Sequence, residues 1–224
     1  MYESQITFTL DTVCPWTYLG KRRLDTALSQ IPEEVKSKVT FSLKIAPYQL
    51  YPNFGPPQDK YAWYRDTKFF GSEEKTAMFA ELMGQRGSEA GINFKFGGTV
   101  ADTLHAHRVI QYFQEADGPE RANRLVNALY RMYFEEEKSP SSVDTLEAAC
   151  VEAGVDEKEA RRVVEDESEG LMDVKMVLRE SAQNGIDSVP HIVFEGRRRD
   201  LTVIGAKDVG DYIKAMETIA KEST

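Results

Sequence analysis

Strand-like patterns occur near the two ends of this 224-residue chain and nowhere between them. Ile6 to Leu10 and Val39 to Ile45 alternate in the manner of strands with one buried face. Ala46 to Asp59 is an irregular, Pro-rich connection carrying Tyr48, Tyr51 and Phe54. From about Lys60 to Glu167 the apolar spacing is helical, with breaks near Gly84 to Gly98, at Gly118-Pro119, at Ser139-Pro140 and at Gly154. A further helix over Ser168 to Asn184 leads to a short buried run ending in Val189 to Phe194, and Leu201 to Ile204 follows as another strand. Lys207 to Ala220 is an amphipathic helix with Val209, Tyr212, Ile213 and Met216 inward. Neither pair of strands could bury its apolar face alone, so both are expected in one sheet. The expected architecture is therefore an α/β domain made of residues 1–59 and 168–224. A helical insertion over 60–167, without strands, is expected to cover the Cys14 end of that sheet.

The first strand runs through Asp11-Thr12-Val13-Cys14-Pro15 into a helix. Pro15 fits the first helical position, where its missing N–H costs nothing. Cys14 then lies where backbone N–H groups lack intrahelical partners and the helix dipole is positive, which favours a thiolate. Its pKa is expected below the free value of about 8.5, with the Thr17 hydroxyl as an added donor. Trp16 is assigned to a pocket wall and Tyr18 to the core. Cys150, on a helix with Leu146 and Ala149, reads as a small core residue.

Composition narrows the function classes. The chain is 41% apolar and 29% charged, as a packed globular protein is, and no run of about 18 apolar residues is available to span a membrane. Met1 to Leu10 lacks a basic stretch followed by an apolar run of signal-peptide length, and two cysteines are too few for a disulfide framework. Both point to the cytoplasm. A net charge of -9 opposes nucleic-acid binding; Arg197-Arg198-Arg199 reads as a solvated strand end, and Glu135-Glu136-Glu137 as a solvated helix end. His105 and His107 are two apart on a helix and face different ways, so no shared metal site is expected. His107-Arg108 reads as structural.

Four stretches carry a resemblance that spans nearly the whole chain: Asp11 to Gly20, Thr103 to Arg108, Leu125 to Phe134 with Leu146 to Gly154, and Gly185 to Phe194. Cys-Pro at a helix start, with a distant Val-Pro before a strand, resembles the thioredoxin superfamily. The closer similarity is to its DsbA-like branch, with FrnE-type proteins and 2-hydroxychromene-2-carboxylate isomerases, related to kappa-class glutathione transferases. The resemblance implies a thioredoxin-like fold with a large all-helical insertion and a cis bond between Val189 and Pro190. It also implies that the backbone at Val189, beside Ser188, pairs with the cysteinyl group of a substrate or of glutathione. FrnE-type relatives carry a second cysteine where this chain has Thr17, so no dithiol cycle is possible at Cys14-Pro15-Trp16-Thr17. The transferase and isomerase relatives have Ser at the position of Cys14. Gly205-Ala206 opens the last helix where kappa-class relatives hold the γ-glutamyl end of glutathione, and the loop with Asn53, Pro56 and Pro57 is similar to one near their glutathione site. His191 stands where the family more often has Thr, either near the thiol, where an imidazolium would lower the Cys14 pKa, or facing the core. Relatives of this branch often dimerise.

Three functions follow as expectations. The first is a monothiol, glutathione-linked oxidoreductase in which Cys14 exchanges with a disulfide or attacks an electrophile, and an outside thiol completes the cycle. The second is a glutathione transferase or isomerase in which Cys14 replaces the relatives' serine and the aromatic loop Tyr48 to Tyr64 helps to form an acceptor pocket. The third is a non-catalytic binding protein. In each the partner is a small molecule or a thiol or disulfide, with no metal, nucleic acid or membrane.

Overall fold

The computed structural model describes residues 1–223. Its elements run β1 (Tyr2–Leu10), α1 (Pro15–Ser29), α2 (Glu33–Lys36), β2 (Val39–Pro47), β3 (Gln58–Asp59) and α3 (Lys60–Trp63), with a π-helical turn (Tyr64–Lys68) continuing α3. They continue with α4 (Glu73–Glu89), β4 (Thr99–Val100), α5 (Leu104–Asp117), α6 (Pro119–Phe134), α7 (Val143–Glu152), α8 (Glu157–Glu165), α9 (Leu171–Gln183), β5 (His191–Phe194), β6 (Leu201–Ile204) and α10 (Val209–Glu222).

The strands from both ends of the chain join in one sheet of order β2-β1-β5-β6, as the sequence pattern predicts. β1 and β2 are parallel, β5 is antiparallel to β1, and β6 is antiparallel to β5. Alternation along a strand divides the side chains between two faces. Ile6, Phe8 and Leu10 join Ile192 and Phe194 in the core with Leu19 and Leu24 of α1 and Tyr212, Met216 and Ile219 of α10. Thr7 and Thr9 point the other way, into a cleft shared with Gln111 and Gln114 of α5 and Val177 of α9.

The region 60–167 is helical with one departure. Thr99–Val100 pairs antiparallel with Gln58–Asp59, so the expectation of no strand there is corrected. The ladder is separate from the main sheet and lies where the chain returns from α4: the Lys60 N–H donates to the Gly98 carbonyl at 2.9 Å. Aromatic rings fill the space beside it, with Trp63, Tyr64, Met83, Phe96 and Val100 buried as a second small core.

Arg108 is fully buried and donates to the carbonyls of Val164 and Glu169, both at 3.1 Å, which ties α5 to the end of α8 and the turn before α9. Replacing it by Met leaves two carbonyls without their donors, at a cost of about 1–3 kcal/mol for each group that stays buried. Arg108→Met is expected to lower the melting temperature by at least several degrees in thermal unfolding while leaving the reactivity of Cys14 unchanged.

Candidate active site

The turn between β1 and α1 is built on Asp11. Its carbonyl accepts from the Cys14 N–H at 3.1 Å and lies 2.8 Å from the Thr17 hydroxyl. One carboxylate oxygen accepts from the Leu50 N–H at 2.7 Å, and the other lies 3.2 Å from His107 Nε2. A carboxylate only accepts, so His107 donates from Nε2. Asp11 and His107 are both fully buried. A residue quoted only as part of a motif is thus the anchor of the cysteine turn, and its one sequence signal is an acidic residue directly ahead of a helix start.

Cys14 is the residue just before α1, with extended backbone, and Pro15 follows at the first helical position as predicted. Gly20 allows the helix to approach the sheet closely. A Cβ there would meet Pro190 Cγ at 3.1 Å and the Tyr212 hydroxyl at 3.4 Å. The Val189–Pro190 bond is cis, as the resemblance implies.

Cys14 and Pro15 form part of a cavity of about 420 Å³ with Trp16, Leu50, Tyr51, Tyr64, Lys68, Phe69, Phe79, Asp187, Ser188 and Val189. The structure thereby brings Cys14, Pro15, Trp16, Ser188 and Val189 together. Tyr51 and Tyr64 come from the aromatic segment assigned to a pocket; Phe69, Phe79, Lys68 and Asp187 had no distinguishing sequence signal. Tyr18 packs in the core, stacked on Tyr130 with ring centroids 4.8 Å apart. Cys150 is buried on α7, where burial pushes its thiol up to about 12.

Four expectations need correction. Cys14 is only 4% exposed, and burial pushes its thiol up to about 11, above the free value rather than below it. The backbone N–H of Thr17 opposes this shift, Asp11 adds to it, and the Trp16 N–H and the Thr17 hydroxyl lower it again. The expected Thr17 hydroxyl donor is therefore present, although that hydroxyl also lies 2.8 Å from the carbonyls of both Asp11 and Cys14 and accepts from the Tyr130 hydroxyl at 2.8 Å. His191 pairs with Thr9 and faces the Thr7 and Thr9 cleft, away from the thiol cavity. Burial moves its pKa down, and its place in that cleft leaves it outside the lining of the Cys14 cavity. Gly205 and Ala206 precede α10, which starts at Val209; the Gly205 N–H is committed to the Pro190 carbonyl at 2.8 Å. Asn53 is exposed, has a φ of 58° and does not line the cavity.

A two-faced sheet with a cysteine at the start of its first helix, and a cis-proline ahead of the strand beside it, defines a thioredoxin-fold protein. The family model described as DSBA-like thioredoxin domain matches residues 5–217, and the chain belongs to that family. A search of curated proteins found no match. Among solved structures the chain is similar to a "probable DsbA oxidoreductase" from Streptomyces coelicolor. The two share 25% identity and a TM-score of 0.83, over 99% of this chain and 92% of that one. It also shares its fold with the cytosolic disulfide reductase DsbM from Pseudomonas aeruginosa, at 14% identity and a TM-score of 0.60 over 97% of this chain and 95% of that one. A 2-hydroxychromene-2-carboxylate isomerase shares the fold at 13% identity and a TM-score of 0.62, over 97% and 96%. Among the described residues no group of His, Cys, Asp or Glu could hold a metal, and no helix is long and apolar enough to cross a membrane.

A buried thiol with a raised pKa gives a specific pH response. Alkylation of Cys14 by iodoacetamide should still be rising at pH 9, with a midpoint near 11. Asp11→Asn removes the negative charge beside the sulfur and should move that midpoint down; mass spectrometry of the Cys14 peptide against pH reads both. A wild-type midpoint below 8.5 would restore the acidified thiol.

Proposed function

We propose that the chain is a monothiol, DsbA-like oxidoreductase of the FrnE type that works with glutathione in the cytoplasm. The observation that carries this reading is a cysteine on the floor of an aromatic cavity with no resolving thiol beside it. Thr17 occupies the partner position, and Cys150 is buried on α7. In the first step the Cys14 thiolate attacks one sulfur of a disulfide; a new S–S bond forms as the old one breaks, and the other sulfur leaves as a thiolate that takes up a proton. A glutathione thiolate then attacks the mixed disulfide and frees Cys14. The product is a glutathione mixed disulfide, which a second glutathione reduces in solution, so two glutathiones are oxidised for each disulfide reduced. Trp16, Pro15, Ser188 and Val189 would form the binding wall, with the Val189 backbone pairing to the cysteinyl group. DsbM, whose fold this chain shares, has been solved with GSH. Both cysteines here are free, which fits a reducing compartment.

The raised pKa of Cys14 favours a second reading, a glutathione transferase or isomerase. A thiol that stays neutral can donate its S–H to a bound glutathione thiolate, as the serine of the transferase relatives does, and the aromatic walls would take an apolar electrophile. One variant separates the two. Under the oxidoreductase reading, Cys14→Ser should lose glutathione-dependent reduction of a small disulfide by at least about a hundredfold, because the exchanging sulfur is gone, while Cys150→Ala keeps it. Full turnover by Cys14→Ser would overturn that reading in favour of the transferase.

A further inference from the structure

The Cys14 cavity carries one positive charge on its wall, Lys68. Its ammonium lies 4.4 Å from the centroid of the Tyr51 ring and 5.6 Å from that of Trp63. No carboxylate pairs with it among the described residues, whereas most other cations near the site are committed. Lys21 is bonded to both oxygens of Asp25 at 2.6 Å, and Arg23 pairs with Asp208 at 3.0 Å. Lys60 is fully buried and donates to the Tyr133 carbonyl at 3.0 Å. Arg86 lies over the Trp16 ring at 5.7 Å, outside the cavity lining.

Burial and the Asp11 carboxylate oppose a negative charge on Cys14, against the backbone N–H groups of Thr17 and Trp16 and the Thr17 hydroxyl, which favour it. Asp11 lies behind it in the β1–α1 turn, with His107 of α5 on that carboxylate. Asp187 lies on the wall ahead of β5. Burial first, with a charge at Cys14 among the smaller causes, raises the pKa values of Tyr51 from the loop after β2, Tyr64 from the π-helical turn and Tyr130 and Tyr133 from α6, and neutral phenols set no like charge against the sulfur. Yet exchange requires a thiolate. We propose that Lys68 is the counter-ion of the sulfur anion formed on the cavity floor, held ready over Tyr51 and Trp63 and acting as a positioning residue for Cys14. The rings fix the ammonium without neutralising it, as a cation over an aromatic face is held by the ring quadrupole. Burial moves the Lys68 pKa down, and attraction to Cys14 opposes that shift, which agrees with this placement.

This inference rests on Cys14 being the reacting sulfur, and the test separates the two. Carbamidomethylation of the Cys14 peptide by neutral iodoacetamide is followed against pH in the full chain, for wild type, Lys68→Met, Lys68→Arg and Arg86→Met. An exposed ammonium shifts a neighbouring equilibrium by up to about fivefold, so Lys68→Met should alkylate about threefold more slowly at pH 8 with its midpoint displaced upward. Lys68→Arg should restore the wild-type profile, and Arg86→Met should not change it. Added salt to about 1 M should slow wild type but not Lys68→Met, since screening removes the same charge. An unchanged midpoint and salt response in Lys68→Met would overturn the assignment, as would equal loss in Lys68→Arg. An effect seen only with anionic iodoacetate would also overturn it, showing that the ammonium docks the reagent instead. If Cys14 reacts normally but Lys68 is irrelevant, only this inference fails; if Cys14→Ser keeps full disulfide-reductase turnover, the oxidoreductase reading fails independently.

Discussion

The geometry of the site depends on one buried carboxylate. Asp11 holds the Leu50 N–H with one oxygen and His107 with the other, while its own carbonyl receives the Cys14 N–H. These bonds join three separate parts of the chain, the β1–α1 turn, the loop after β2 and the start of α5. Without that side chain, the Leu50 amide and the His107 ring would lack partners in the interior, where an unsatisfied group costs about 1–3 kcal/mol. The cavity wall at Leu50 and Tyr51 and the cavity floor at Cys14 are therefore set by the same residue, the wall through its carboxylate and the floor through its backbone carbonyl.

Two opposing effects act on the sulfur, and their sizes decide the outcome. A helix start stabilises a nearby anion by about 0.3–1 kcal/mol at an exposed position. A shift from 9.0 to about 11 corresponds to roughly 2–3 kcal/mol in favour of the neutral thiol. Burial wins in the resting protein: Cys14 is buried at the start of α1, and Tyr64, Phe69 and Phe79 of the helical region line the cavity beside it. Lys68, the positive charge on the wall, is itself exposed, so its effect on the sulfur stays modest and sensitive to salt.

Much of this was legible in the sequence. Alternation at Ile6 to Leu10 and Val39 to Ile45 predicts two strands, and Pro15 marks the first residue of α1. The resemblance supplies the cis bond before Pro190 and the common cavity of Cys14 and Val189. What it could not supply depends on side-chain direction and burial. His191 follows Pro190 in sequence but, with Ile192 and Phe194 in the core, alternation turns it to the opposite face. The thiol's position at a helix start was visible, while the residues that bury it lie about 50 to 65 positions away and meet it only in the fold. Lys68 and Asp187 were ordinary surface charges until the fold placed them on one cavity.

The central claim is that glutathione reacts or binds on the Cys14 cavity floor, between Trp16 and Val189. A crystal structure of the chain soaked with oxidised glutathione tests it most directly. The account predicts the glutathione sulfur joined to Cys14 Sγ at about 2.0 Å as a mixed disulfide, with its cysteinyl backbone against Val189. A glutathione lodged instead in the cleft lined by Thr9 and His191, with Cys14 untouched, would contradict it.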